Sequence, residues 1–194
     1  IRRPPFFIPV YAAWLQCTAI LLLWIFAQGA SAAGSVAMLA DNQLLMLQGQ
    51  IDFLPDSPAI QPEKLLAGEY EGEFRHYDEP AVNFQLAPVW LRMRIANNTG
   101  AGHLVLSIND VLFTQVELLY NRANEGSAFD VVNKNAGLLH GRIKENWPYD
   151  DIAFQLDIPQ DQMRTIYLRV HTPYMLLLNP YVSDEQSYSL YQVK

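Results

Sequence analysis

Cysteine is almost absent from this sequence, in which Cys17 is the only one among 194 residues. The chain therefore has no disulfide framework, no thiolate zinc site and no iron–sulfur cluster. Basic residues are also scarce, with 13 lysines and arginines against 20 acids and a net charge of −7. Nucleic-acid binding needs a basic surface that faces the phosphates, so we expect no nucleic-acid partner.

The common catalytic motifs are missing as well. The sequence contains no Gly-x-Ser-x-Gly, no glycine-rich phosphate loop and no cysteine outside an N-terminal apolar run. Glu71 and Glu73 resemble the paired carboxylates of a glycosidase, but a polar strand face explains them more simply. The histidines do not have the spacing of a metal site; they are His76, His103, His140 and His171. We expect no catalytic residue, metal or cofactor.

The N-terminus carries the one long apolar run, at residues 12–26. Arg2 and Arg3 precede it, and Ala30-Ser31-Ala32 follows with the small-x-small pattern of a cleavage site. This order predicts a secretory signal peptide over residues 1–32, and an uncleaved membrane anchor is the alternative. In both cases we expect residues 33–184 to form an exported domain, followed by a linker at 185–194.

Alternating apolar and polar residues dominate the chain from Val89 onward. The clearest run is 89–95, where every second residue is apolar while Trp90, Arg92 and Arg94 occupy the opposite face. Further alternating runs lie at 104–108, 115–120, 152–158 and 166–170. Short strands are also predicted at 129–132 and 138–143, and residues 176–182 form one last apolar strand. About eight short strands at roughly ten-residue spacing predict an all-β antiparallel sandwich or barrel, and we favour a jelly roll.

Between residues 41 and 88 the pattern is irregular and rich in proline. It predicts an edge strand within 44–53 and one helical turn behind Pro62. We interpret the whole stretch as an arm that wraps onto the domain. Farther along, residues 133–137 predict a turn.

Three segments together carry a family resemblance. They are Val-Trp-Leu-Arg at 89–92 leading to Asn97, Val-Glu-Leu-Leu-Tyr at 116–120, and Phe-Gln-Leu-Asp-Ile-Pro at 154–159 followed by Thr-Ile-Tyr-Leu-Arg-Val at 165–170. In order and spacing they resemble the periplasmic sensor domain called extracellular domain 2 of bacterial seven-transmembrane receptors with diverse intracellular signalling modules. The resemblance covers residues 44–183.

The resemblance implies a jelly-roll domain that is similar to carbohydrate-binding modules. Such a domain stands on the periplasmic side of the inner membrane, before seven transmembrane helices and an output such as a diguanylate cyclase or a histidine kinase. It implies that this chain is part of a longer protein, attached to the membrane through segments outside it. The resemblance supplies no functional residues, because the family's ligands are largely undefined.

The outward faces of two strands form the first candidate ligand site. If these strands are neighbours, they create an aromatic and basic patch suited to an acidic glycan or a small carboxylate. The alternative is that Trp90 packs under the arm and the arginines pair with acids. The patch consists of Trp90, Arg92, Arg94, Tyr167, Arg169 and His171. Trp147 and Tyr149, in a separate loop, form a second candidate.

We therefore predict a periplasmic ligand-sensing domain that is not itself an enzyme. One expected partner is an unidentified small ligand, for example a glycan. The other is a second copy of the chain, in a homodimer. A secreted carbohydrate-binding module without signalling output is the first alternative. The second is a secreted jelly-roll hydrolase in which Glu71 or Glu73 would carry out acid–base chemistry.

Overall fold

A computed structural model of the chain describes residues 35–41, 43–77, 87–108, 113–123, 130–137, 152–172 and 179–192. The strands of this part of the chain are β1 Val36–Ala40, β2 Leu44–Met46, β3 Asp52–Pro55, β4 Arg75–His76, β5 Val89–Asn98, β6 Leu104–Ile108, β7 Gln115–Asn121, β8 Val131–Ala136, β9 Ile152–Leu156, β10 Gln162–His171 and β11 Pro180–Ser183. The helices are α1 Pro62–Leu66 and α2 Glu185–Gln192, with a 3-10 turn at Glu71–Glu73. The predicted signal segment, residues 1–32, lies outside the described residues.

The strands form two sheets with a jelly-roll order. Sheet A runs β4-β3-β5-β10-β7-β8, with β1 also pairing with β5, and sheet B runs β2-β11-β6-β9. The pairs are antiparallel except for the parallel pair of β1 and β5. From β5 to β11 each strand crosses to the other sheet, apart from the step from β7 to β8. This order confirms the predicted all-β jelly-roll sandwich.

The core lies between the inner faces of the sheets, where the alternation of the sequence predicts it. Leu91 of β5 lies opposite Leu168 of β10, and Met93 lies opposite Ile166. All four side chains are buried in one cluster that draws on both sheets. Burying each such side chain contributes about 1.5–3 kcal/mol, so the inner faces hold the sandwich together.

The turn predicted at 133–137 is wrong, because residues 133–136 belong to strand β8. Their polar composition suits an edge strand, which tolerates charge and amide groups on its open side. Asn133 donates to Glu117 Oε1 at 2.9 Å. Lys134 Nζ donates to the Gln155 carbonyl at 3.2 Å, which links the edge of sheet A to sheet B. The polar side chains therefore fasten the strand in place.

The stretch predicted as a linker at 185–194 contains helix α2. Asp184 caps this helix, since Oδ1 accepts the Ser187 N–H at 2.7 Å and Oδ2 accepts the Ser187 hydroxyl at 3.0 Å. Tyr188 is fully buried and stacks on Tyr181 of β11, with ring centroids 6.2 Å apart. None of the described helices is long and apolar enough to cross a membrane.

Candidate ligand-binding site

Neighbouring strands bring five of the predicted site residues together on the outer face of sheet A. In the pairing of β5 with β10, Trp90 lies opposite Arg169 and Arg92 lies opposite Tyr167. Arg94 follows on the same face of β5, because alternate residues of a strand share a face. The two strands of the predicted patch are therefore neighbours, as that prediction required.

Of the remaining predicted residues, His171 follows Arg169 on the same face of β10, opposite Gln115 of β7, but it does not line the cleft on this face. Trp147 and Tyr149 lie outside the described residues, so the loop that contains them stays a prediction.

Part of the predicted arm, residues 56–74 between β3 and β4, covers the middle of the outer face of sheet A, and this part is called the arm from here on. Trp90 is only 2% exposed and Arg92 only 3%. The arm and the sheet share one apolar cluster, formed by Leu54, Ile60, Leu65, Leu66, Tyr70, Phe74, Trp90, Leu119 and Tyr167. The open aromatic patch is therefore absent, because the arm removes that apolar area from water. Trp90 instead packs beneath the arm, as the alternative prediction has it.

Each arginine of this face is paired with an acid. Arg92 donates from Nε at 3.2 Å and from Nη2 at 2.8 Å to Asp52 Oδ2, and its guanidinium lies 4.5 Å from the Phe74 ring centroid. Arg94 Nη2 lies 3.5 Å from Glu71 Oε1 on the arm. These pairs hold the arm and strand β3 against β5.

Tyr167 is a titratable group buried between the sheet and the arm, where it contacts Phe74. Burial raises the pKa of its phenol above the ordinary value of 10, and Arg92 opposes this shift. The folded state therefore keeps this proton to higher pH than the unfolded chain does. Linkage then requires that stability falls as pH rises above 10 toward the raised folded pKa.

Tyr167→Phe is accordingly expected to reduce the alkaline loss of stability. The wild-type free energy of unfolding should fall by up to about 1.4 kcal/mol per pH unit from this group, and the variant should lack that slope. Urea unfolding at about pH 8 and about pH 11 measures the difference. Equal alkaline losses in both proteins would contradict the assignment to Tyr167.

A cleft of about 610 Å3 opens between the start of the arm and sheet A. Asp56 and Ser57 from the arm and Trp90, Glu117 and Arg169 from the sheet supply its polar groups. Its apolar wall consists of Pro58, Ile60, Pro62, Ala87 and Pro88. An apolar cleft with a few converging polar groups is the usual form of a small-molecule site.

Asp56 fixes the position of Arg169 at the base of the cleft. Its Oδ2 accepts from Arg169 Nε at 3.0 Å and from Nη2 at 2.6 Å, and its Oδ1 accepts from Trp90 Nε1 at 2.8 Å. Arg169 Nη1 points instead toward Glu117, whose Oε2 lies 3.9 Å away, beyond hydrogen-bond distance. The Arg169 Nη1 donor and the Glu117 Oε2 acceptor therefore lie side by side in the cleft.

The comparison with known families now decides the identity of the domain. Residues 48–184 match the family described as 7TMR-DISM extracellular 2. The chain belongs to this family. A search of curated proteins finds no match. As a 7TMR-DISM extracellular 2 domain, the chain is a sensory input domain of a membrane receptor, placed outside the cytoplasm.

Asp56 and Glu117 are cleft residues of this 7TMR-DISM extracellular 2 domain that sequence reasoning missed. Asp56 lies between two prolines, a sequence that indicates only a loop residue. Glu117 is one of several polar residues that alternate along β7, and only its place opposite Arg169 in the sheet singles it out. That pairing of β7 with β10 is a long-range feature, which alternation alone does not predict.

The carboxylates of the predicted hydrolase alternative do not face a described cleft. Glu71 and Glu73 lie in the 3-10 turn of the arm, where both are exposed. The shared strand face predicted for them is therefore wrong. Glu71 instead forms the ion pair with Arg94.

A second cleft, of about 400 Å3, lies beside Asp41, His103 and Asp184. Two of its three acids already have partners, since Asp41 Oδ1 accepts the Gly100 N–H at 2.8 Å and Asp184 caps α2. His103 Nδ1 lies 2.8 Å from Asp157 Oδ1. Within the described part of the chain, no three metal-binding side chains gather closely enough to hold an ion. We assign no ligand to this cleft.

Proposed function

We propose that the domain senses a neutral, polyhydroxylated small molecule, such as a carbohydrate, in the cleft between the arm and sheet A. The observation that carries this proposal is the donor and acceptor pair of Arg169 Nη1 and Glu117 Oε2, 3.9 Å apart beside an apolar wall. Adjacent hydroxyls of a sugar can accept from the guanidinium and donate to the carboxylate. The apolar wall suits the C–H face of the ring.

The charge of the cleft favours a neutral ligand over the small carboxylate that the sequence also suggests. Asp56 and Glu117 contribute two negative charges against the single positive charge of Arg169. Arg169 already forms its ion pair with Asp56 through the Nε side of its guanidinium. A ligand carboxylate would have to approach two acids of like charge, which disfavours it.

Ligand binding would act by stabilising one arrangement of the arm. The cleft has one wall on the arm and one on the sheet, so a ligand that contacts both favours the closed arm. Strand β3 leads directly into Asp56, and β2, which precedes β3, pairs with β11. β11 in turn leads into α2. This route joins the cleft to α2 through one strand pair and short connections.

The receptor that contains this domain is proposed to carry a cytoplasmic output such as a diguanylate cyclase or a histidine kinase. The support for this is membership of the family, whose domains act as receptor inputs. A secreted carbohydrate-binding module would bind the same ligands without any signalling output. The sequence of the whole gene distinguishes these two, because only the receptor encodes transmembrane helices after the domain.

A thermal-shift and calorimetry screen tests the cleft. Glucose, galactose, N-acetylglucosamine and cellobiose serve as neutral probes, and glucuronate and succinate as acidic ones. Glu117→Gln keeps the shape of the side chain and its amide partner Asn133, but it removes the charge. It is expected to weaken the binding of a neutral sugar by roughly tenfold to a hundredfold, as for a hydrogen bond to a charged group.

Glu73→Gln is the matched control, because Glu73 is an exposed acid of the arm that does not line the cleft. It should leave sugar binding unchanged. The proposal of a neutral ligand fails if only the acidic probes bind, or if Glu117→Gln strengthens their binding while no neutral sugar binds. It also fails if sugar binding survives Glu117→Gln unchanged.

A further inference from the structure

Strand β1 lies at an edge of sheet A among the described strands. It pairs in parallel with the second half of β5, and none of the described strands pairs with its other side. Its five residues, Val36–Ala40, include no charge, proline or glycine. Natural sheets usually blunt such edges with lysine, proline or a bulge, because open backbone groups recruit another strand. The absence of these devices in β1 indicates that the edge is used for pairing.

An apolar row crosses sheet A and ends at this edge. Met38 of β1 lies opposite Ala96 of β5, which lies opposite Met163 of β10. Met38 is 64% exposed and Met163 is 45% exposed. Two large exposed side chains in one row form a small contiguous apolar surface. The row would continue only onto a strand with an apolar residue at the level of Met38.

We propose that the partner at this edge is a second copy of the chain, paired antiparallel through β1 about a two-fold axis at Met38. In this register Met38 faces Met38 of the second copy, and Val36 faces its Ala40. The apolar row then runs without a break from sheet A of one copy into sheet A of the other. Such an interface is self-complementary, as a two-fold dimer requires.

Charge favours this partner and this direction. The chain has a net charge of −7, so two copies approach most easily along an uncharged strand. Arg94 lies beside Val36 at one end of β1, and Asp41 follows Ala40 at the other end. Antiparallel pairing brings the Arg94 end of one copy to the Asp41 end of the other, whereas parallel pairing would bring Asp41 to Asp41.

The size of the contact predicts a weak pair. Two five-residue strands and their methionines bury far less than the roughly 1,600 Å2 of a stable interface. The pair is therefore expected to form only at high local concentration, such as that of two receptors held in one membrane. This property suits a contact that changes during signalling.

Disulfide trapping in the periplasm tests the pair. The full chain is exported in a Cys17→Ser background, overproduced so that it reaches a high periplasmic concentration, and oxidised in intact cells. Met38→Cys is expected to form a covalent dimer, because directly opposed residues of antiparallel strands lie about 4.5–5.5 Å apart at Cα, within the range of a disulfide. Urea unfolding of each variant checks that the fold is retained, which the exposure of Met38 leads us to expect.

Two controls make the test specific for register. Met163→Cys, on the same row, should stay monomeric because its copies lie about 24 Å apart, five strand spacings of about 4.8 Å. Val36→Cys alone should also stay monomeric, since its copies lie about 13 Å apart along the strands. When Val36→Cys and Ala40→Cys are expressed together with different tags, they should form a mixed dimer.

The proposal is overturned if Met38→Cys remains monomeric, or if Met163→Cys is trapped equally well, which would indicate random collision or a face-to-face contact. Trapping of Met38→Cys to another protein instead of a second copy would also overturn it. None of these outcomes depends on whether the cleft binds a sugar.

Discussion

Asp52→Ala is expected to lower the free energy of unfolding by about 3–5 kcal/mol, as when one partner of a buried ion pair is removed. Arg92 is 3% exposed and donates twice to Asp52 Oδ2, at 3.2 and 2.8 Å. Without Asp52, the partners left to the buried guanidinium among the described residues are the Phe74 ring and a long hydrogen bond of 3.4 Å to the Glu71 carbonyl. A buried charge without its counter-ion is among the largest single losses a fold can suffer.

Urea unfolding of a short variant series measures this effect. Adding Arg92→Met to Asp52→Ala removes the unpaired charge, so the double variant should be more stable than Asp52→Ala alone. Asp130→Ala is the surface control, because the pair of Arg122 and Asp130 is about half exposed on both sides. Asp130→Ala should lower the free energy of unfolding only slightly. A loss for Asp52→Ala no larger than that for Asp130→Ala would show that the buried pair does not hold β3.

The same variant links stability to the site. Asp52 lies on β3, which leads into Asp56 and the arm. Loss of the pair loosens the strand that positions Asp56, and Asp56 fixes Arg169. Asp52→Ala should therefore weaken sugar binding even though Asp52 does not line the cleft. This behaviour separates a positioning residue from Glu117, whose change to glutamine should affect binding while leaving the stability nearly unchanged.

Alternation predicted the strands because each strand has one face in the core. The runs around Leu91 and Leu168 gave both the strands and their inward residues correctly, since burial of one face imposes a period of two. Helix α1 behind Pro62 was predicted for a similarly local reason, the fit of proline to a first helical turn. The jelly roll followed from the number and spacing of the runs.

The cover over the outward face was predicted only as an alternative, and its contacts could not be predicted in the same way. Trp90 and Arg92 alternate as exposed residues would, yet the arm buries both. The arm has no periodic pattern, so its contacts with Leu119 and Tyr167 depend on long-range packing that single-sequence patterns do not record. Strand β1 was missed because its short apolar run follows directly on the signal-like segment. Asp56 and Glu117 became candidates only through the pairings around Arg169.

Asn97→Ala is expected to destabilise the domain by about 3 kcal/mol or more, because it leaves several buried polar groups without partners. Asn97 is fully buried at the end of β5. Its Nδ2 donates to the Ala101 carbonyl at 2.8 Å and to the Ile158 carbonyl at 2.6 Å. Its Oδ1 accepts from the backbone N–H of Thr99 at 2.9 Å and from its hydroxyl at 2.6 Å.

These bonds join the turn after β5 to the segment after β9, so one side chain closes two connections of the jelly roll. Asn97→Asp should also destabilise, because it replaces the donor with an oxygen that faces two carbonyls. Asn98→Ala is the control, since Asn98 is the exposed neighbour. Thermal and urea unfolding of the three variants measure the effect. A loss for Asn97→Ala within about 0.5 kcal/mol of that for Asn98→Ala, the usual range for surface changes, would contradict this role.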